Sequence, residues 1–189
     1  MKILLISDTH DNISLIDRLF MYVSKLDIET LIHLGDYVSP FTLKNLLKVL
    51  EKSSIKFLGI FGNNDGDKVL MMKTVTNLGQ LSEPPVEIEI DRMKALILHG
   101  FGPKELTDRF VNSLALSGHY ELIMYGHTHT PRAEIINNAL VINPGAFSGY
   151  LAESPTLALL NTEERDLAII DIQLNTIIKK LDWSNVRIV

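Results

Sequence analysis

Cysteine is absent from the 189 residues, which removes disulfides, thiol nucleophiles and thiolate-ligated zinc together. That absence is compatible with a reducing compartment. Basic charge is also scarce: 18 Lys and Arg face 23 Asp and Glu, for a formal net charge of -5. The basic residues form no stripe, so extended nucleic-acid binding through phosphate charge is disfavoured. Long apolar runs are missing too. The opening Ile3-Leu4-Leu5-Ile6 is too short for a signal-peptide core, and nothing approaches the ~18 apolar residues of a membrane span. A cytoplasmic setting without a membrane partner is the expectation. There is no internal repeat, low-complexity tract or linker; Glu83-Pro84-Pro85 is the only proline cluster, read as a connection inside one domain over residues 1–189. With 46% hydrophobic and 22% charged residues the chain has the composition of an ordinary globule with a sizeable core.

Short apolar runs alternate with amphipathic ones through the first half. Lys2–Ile6, Thr30–Leu34 and Lys56–Phe61 read as strands, and Asn12–Leu26, Phe41–Leu50 and Asp67–Thr76 as helices. That alternation argues for parallel strands joined by right-handed crossovers. The second half is richer in strands. Val86–Ile90 and Lys94–Leu98 read as a hairpin about an Asp91-Arg92 turn, and Pro103–Leu116 as a helix. Strands are expected at Leu122–Tyr125, Ala133–Ile136, Leu140–Ile142, Thr156–Leu160 and Leu167–Leu174, with turns at Asn137-Asn138 and Asn161–Asp166. The tail from Asn175 to Val189 fits a short helix or an edge strand.

Chemistry-bearing residues follow the strands. Ser7-Asp8-Thr9-His10-Asp11-Asn12, Gly35-Asp36, Gly62-Asn63-Asn64-Asp65, His99-Gly100 and Gly126-His127-Thr128-His129 each come directly after an apolar run. Ligands of open α/β sheets bind outside the carboxyl ends of the strands, so these segments could converge. Two carboxylates, one amide oxygen and four imidazoles suit divalent Mn, Fe, Co, Ni or Zn better than Ca or Cu(I). Seven side chains exceed one tetrahedral site and match two adjacent ions sharing a carboxylate, a pair able to hold a nucleophilic hydroxide and clamp an in-line displacement. Two divalent ions against two carboxylates leave a positive local field, which points to phosphate as the target.

Those five segments, in that order, resemble the signatures of calcineurin-like metallophosphoesterases, and Asn143-Pro144-Gly145 resembles a further loop of the small single-domain phosphodiesterases. The resemblance runs to about Gly149. It implies an α/β fold, a four-layer α-β-β-α sandwich with two facing mixed sheets. It implies that Asp8, His10 and His129 hold a first metal, that Asn63, His99 and His127 hold a second, and that Asp36 bridges them. It further implies a phosphodiesterase acting by in-line attack of a metal-bridging hydroxide, with catalytic roles for Asn64, His127 and Asp36. Mn is the first choice of cofactor, with Ni, Fe, Co or Zn as alternatives; the substrate is a small phosphodiester or nucleotide-like molecule, and family habit suggests a homodimer. The chain departs from the pattern twice. Asn64 stands where many members have a phosphate-contacting histidine, and His99-Gly100-Phe101 stands where small relatives often read His-Gly-His.

Plainer roles compete at several positions. Asp8, Asp36 and Asp65 could cap the helices that follow them; Asp65 is read as mainly structural, with a secondary orienting role. His33, inside a strand, is read as a satisfied core histidine and His119 as a surface residue. Met71-Met72 is read as core or interface filling, and Phe101 either lines a substrate pocket or packs. Two other functions share the fold: a non-catalytic metal-binding or protein-interaction scaffold, which filled ligand positions argue against, and a nuclease, for which the chain is short and acidic.

Overall fold

The computed structural model describes residues 1–75 and 78–188. Its elements in chain order are β1 (Lys2–Ile6), α1 (Ile13–Lys25), β2 (Thr30–His33), α2 (Pro40–Glu51), β3 (Lys56–Ile60), α3 (Lys68–Thr74), β4 (Gly79–Ser82), β5 (Val86–Ile90), β6 (Met93–Leu98), α4 (Lys104–Ser117), β7 (Leu122–Tyr125), β8 (Arg132–Ile136), β9 (Ala139–Asn143), β10 (Thr156–Asn161), β11 (Asp166–Asp171) and β12 (Thr176–Asp182). One sheet has the order β12-β11-β10-β1-β2-β3-β4 and the other β5-β6-β7-β9-β8. Both are mixed: β1 to β4 run parallel while β10 to β12 join antiparallel, and β6, β7 and β9 run parallel between antiparallel β5 and β8. The expected α-β-β-α sandwich is the architecture found.

Alternation along β1 shows how four layers arise from an all-apolar strand. Successive side chains point to opposite faces. Leu4 and Ile6 therefore pack with Ile16, Leu19, Leu43 and Leu46 of α1 and α2. Ile3 and Leu5 face the other way, onto Ile97, Met124 and Ile142 of the second sheet. A third apolar layer joins that sheet's outer face to Val111 and Ala115 of α4. The chain passes between the sheets through Pro84-Pro85, a cis peptide.

Most expected elements lie within a residue or two of their observed bounds. Three readings change. β4 pairs parallel with β3 through Phe57↔Gly79 to Ile60↔Ser82, a strand that Gly-Gln-Leu-Ser does not announce. β11 stops at Asp171, because its Oδ1 accepts the backbone N–H groups of Gln173 and Leu174 and closes a turn. The ambiguous tail is an edge strand, β12, followed by the fully buried Trp183. The expected helix end at Thr76 and the last residue, Val189, lie outside the described residues.

Helix starts decide the competing cap roles. Asn12 begins α1 without a side-chain cap, Ser39 Oγ accepts from Thr42 N–H at α2, and Asp67 accepts from Leu70 N–H at α3. Asp8, Asp36 and Asp65 cap nothing, so the chemistry reading of the first two loses its plainest rival.

Candidate metal centre

Five of the seven expected ligands sit in the left-handed backbone region: Asp8 (φ 56°), His10 (40°), Asp36 (61°), His127 (67°) and His129 (56°). Such φ values are uncommon for non-glycine residues and cluster where function over-determines the backbone. The strain is held by cross-links between the loops. Asp8 N–H donates to Gly35 O (3.0 Å), His10 N–H to Asp36 O (3.1 Å), Gly126 N–H to His99 O (3.0 Å) and Ser148 N–H to Asp8 O (3.1 Å). Asn143 Nδ2 donates to Gly126 O (2.9 Å) and Thr128 Oγ1 (3.0 Å), so the Asn-Pro-Gly loop braces the two-histidine turn from below.

Asp65 ties the remaining pair of loops together. Its carboxylate accepts N–H groups from Asp36 (3.1 Å), Val38 (2.8 Å) and Gly62 (2.6 Å), while burial pushes its pKa up. It is structural and orienting, though through loop backbones rather than a helix start. His33 is buried and stacked on Tyr37 with ring centroids 3.7 Å apart. Its Nδ1 accepts Gly35 N–H (3.1 Å), which leaves the Nε2 proton for Thr9 Oγ1 (3.2 Å). Burial drives its pKa well down, so it is a satisfied neutral core histidine as expected. His119 is exposed; Met71 is fully buried while Met72 is 56% exposed, so that pair divides between core and surface. Phe101 is exposed and meets Phe110 edge-on.

The seven ligand candidates converge. Asp8, His10 and His129 bring one ligand atom each within 4.8 Å of one another, and so do Asp8, Asp36 and His99. Asn63 Oδ1 stands 3.2 Å from His99 Nε2 and 2.9 Å from His127 Nδ1. Asp36 Oδ2 lies between the two groups, 3.7 Å from His10 Nε2 and 3.4 Å from His99 Nε2.

Ring orientation settles which nitrogens face inward. His99 Nδ1 donates to Leu34 O (2.6 Å), His127 Nε2 to Gly102 O (2.7 Å) and His129 Nδ1 to Tyr150 O (2.7 Å). Carbonyls can only accept, so each opposite nitrogen faces the centre, where it offers a lone pair in the neutral ring and an N–H to the carboxylates in the protonated one. Backbone carbonyls behind ligand imidazoles are the usual outer support of a metal site. The inward nitrogens meet oxygens and one another, with His10 Nε2 3.2 Å from His129 Nε2. Such a cluster of acceptors needs positive charge. Protons supply part of it: burial lowers His99, but Asp36 and Asp8 outweigh burial and raise it to about 8, and the Asp8 carboxylate raises His129. Burial pushes Asp36 up, yet its hydrogen bond to His99 holds it well below the usual carboxylate range.

Asp8 carries the decisive test of fit. Its Oδ2 accepts His127 N–H (3.1 Å), whereas Oδ1 is buried and makes no hydrogen bond among the described residues. A buried carboxylate oxygen without a well-formed hydrogen bond is costly unless a cation compensates it. Here it faces His129 Nε2 at 3.2 Å and His10 Nε2 at 3.8 Å, with the N/O chemistry of a divalent ion's ligand shell.

Known proteins resemble the chain in sequence and fold. The family model described as the calcineurin-like phosphoesterase superfamily domain matches residues 1–165. The chain belongs to that superfamily. Among relatives of this phosphoesterase, Phosphodiesterase MJ0936 of Methanocaldococcus jannaschii is 34% identical over 169 residues, covering 88% of this chain and 96% of the relative. Phosphodiesterase YfcE of Escherichia coli is 24% identical, covering 78% of this chain and 80% of the relative. A solved structure of an archaeal phosphodiesterase superposes with a TM-score of 0.78 at 32% identity, over 90% of this chain and 99% of that one. Zinc-complexed Vps29 from Entamoeba histolytica, with a TM-score of 0.64 at 19% identity over 97% of this chain and 100% of that one, shares the fold alone. This phosphoesterase is thus a metal-dependent phosphoric ester hydrolase.

Proposed function

We propose that the protein is a phosphodiesterase with a dinuclear centre, acting on small, nucleotide-like phosphodiesters by in-line displacement at phosphorus. The support is the buried Asp8 Oδ1 amid inward-facing imidazoles, in a cluster with His10 and His129 that meets a second one of Asp8, Asp36 and His99. Asp8, His10 and His129 would hold one ion; Asn63, His99 and His127 would hold the other; Asp36 would bridge. Divalent ions in such a pair supply Lewis acidity, bringing the pKa of water toward neutrality and offsetting phosphoryl charge. Mn is the first candidate and Ni, Fe, Co or Zn the alternatives; nitrogen and oxygen ligands without thiolate admit all of them, so cellular supply decides. Residues 1–189 act as one domain in this reading, because both sheets contribute ligands.

The chain's own groups set the geometry. Asp36 takes Asn64 N–H on Oδ1 and Asn64 Nδ2–H on Oδ2, both at 2.8 Å, which fixes the plane of the bridging carboxylate. Asn64 is itself exposed, so its amide also lies within reach of substrate oxygens as a donor. An amide has no proton to surrender at neutral pH, so Asn64 polarises the phosphoryl group without acting as a general acid. His127 is held by Gly102 O on one nitrogen and turns the other inward, where its ring borders the developing phosphoryl charge.

Parallel purification and assay test this. The chelated protein should turn over bis(p-nitrophenyl) phosphate only after Mn or Ni is restored, with two ions per chain by elemental analysis. No metal-dependent hydrolysis across a broad panel of divalent ions would end the proposal. The scaffold alternative has no filled-site observation in its favour, since every ligand position holds a competent side chain.

A further inference from the structure

A cleft of about 570 Å³ opens directly from His10, between Val38 and the loop carrying Ser148, Gly149 and Tyr150. Nothing in the metal chemistry requires it. The Tyr150 loop is fastened by its backbone: Ser148 N–H reaches Asp8 O (3.1 Å), Asn12 Nδ2 donates to Ser148 O (3.1 Å), and Tyr150 O accepts His129 Nδ1–H. The Tyr150 side chain is fastened by nothing comparable. Its ring meets His10 edge-on at 5.6 Å between centroids, it is 59% exposed, and its hydroxyl has no hydrogen-bond partner among the described residues. A large aromatic carried on an anchored backbone, beside a histidine of the proposed metal centre and open on its face, is a stacking surface awaiting a partner.

The opposite rim sets a second condition. Asp11 Oδ1 accepts from Ser39 Oγ (2.6 Å) and from Thr42 Oγ1, while Oδ2 has no hydrogen-bond partner among the described residues. A carboxylate oxygen on the rim repels anions and accepts N–H or O–H donors. We infer that this cleft is the ester-arm subsite, taking an uncharged ring-bearing arm of the substrate, such as an aryl group or a nucleoside, and rejecting an arm that carries a second phosphate or a carboxylate. The inference rests on the phosphoryl group being held at the neighbouring metal centre.

Phosphonates test it without turnover, because their P–C bond is not hydrolysed. Calorimetry on the Mn-loaded full-length protein compares phenylphosphonate with methylphosphonate. Wild type should prefer the phenyl compound about tenfold, the scale of one aromatic contact. Tyr150→Ala should bring the two within about twofold, read as a ratio so that any effect of losing the ring against His10 on phosphonate binding at large cancels, with metal content measured alongside; Tyr150→Phe should keep the preference. Wild type should bind 4-carboxyphenylphosphonate more weakly than phenylphosphonate, and Asp11→Asn should narrow that gap; Asn also suits the φ of 54° at this position. Equal wild-type affinities for the phenyl and methyl compounds, or a preference that survives Tyr150→Ala, overturns the stacking subsite. An undiminished carboxyphenyl affinity overturns the role of Asp11. A protein showing the Tyr150-dependent preference yet hydrolysing no diester would refute the phosphodiesterase proposal and leave the subsite standing, whereas failure to bind either phosphonate refutes both.

Discussion

Gly62 and Gly66 share one loop, and a single methyl group should have opposite consequences at the two. A Cβ on Gly62 would fall well inside 3.0 Å of Asp36 Oδ1, 2.5 Å from Asp36 N and 2.8 Å from Asp36 Cγ, distances that real Cβ atoms essentially never show. Gly62 backs onto Asp65 through its own N–H, so both the carboxylate and the backbone of Asp36 must move instead. Retreat by about 1 Å breaks the paired bonds from Asn64 and pulls Oδ2 from its place between His10 and His99. Overpacking costs typically about 1–3 kcal/mol, and a lost hydrogen bond to a charged group about 1.5–3 kcal/mol. Gly62→Ala should therefore destabilise by roughly 2–4 kcal/mol and lower Tm by about 5–15 °C for a chain of this size. Metal affinity should drop at least about 10-fold, the scale seen when support behind a ligand is lost. A Cβ on Gly66 meets only Val38 O at 3.6 Å, ordinary contact, and its φ is not left-handed. Gly66→Ala should be neutral or gain up to about 1 kcal/mol by restricting the unfolded chain. Scanning calorimetry with and without Mn, and Mn titration of each variant, read both quantities. Wild-type metal affinity in Gly62→Ala, or equal damage in Gly66→Ala, refutes the claim that packing against this glycine positions Asp36.

Four further outcomes are expected. Saturating Mn at about 100 Kd adds about 2.7 kcal/mol to stability by mass action, so chelated protein should gain about 5–10 °C in Tm on metal addition, an increment that EDTA reverses. Because Asn64 supplies no proton, hydrolysis rates should fall steeply as the leaving alcohol becomes more basic; a flat series of aryl and alkyl diesters would show that another group protonates the leaving oxygen. Burial depresses His33 below its unfolded pKa, so the unfolded chain takes up the proton first and the associated stability, full above about pH 6.5, is lost as pH falls. Wild-type Tm should accordingly decline more between pH 7 and 5 than that of His33→Gln, and parallel curves would count against a neutral His33. Trp183→Ala should cost about 3–5 kcal/mol in denaturant unfolding, since the ring is fully buried in the inter-sheet core, with Trp183→Phe costing much less.

The order of loops after strands was enough to pick out side chains that converge, because each needs only its strand end to be brought to the seam. Apolar periodicity located β1, β2, β3, β6 and β7, and topology did the rest. What local pattern could not show depended on distant partners. β4 exists because β3 offers it a parallel edge, and its residues have little strand preference of their own. Ile172 and Leu174 extend the apolar run of β11, yet the Asp171 side chain diverts the backbone into a turn. Asp65 is a plausible cap by sequence, yet Asp67 caps α3 while Asp65 takes the Asp36 and Gly62 amides, an approach no local pattern shows. Tyr150 left no trace in periodicity or motif, because an aromatic in a Ser-Gly-Tyr loop acquires meaning only from its contact with His10.

The seam between the two sheets has a consequence for how the molecule answers to its surroundings. Asp8, His10, Asp36 and Asn63 ride on loops of the seven-stranded sheet, and His99, His127 and His129 on loops of the five-stranded one. Neither proposed ion has a complete set of ligands from one side, so each would act as a rivet through both halves. Any loosening of the apolar seal beneath, around Ile97, Met124 and Leu5, would therefore be felt first as weakened cation retention, well before the chain unravels.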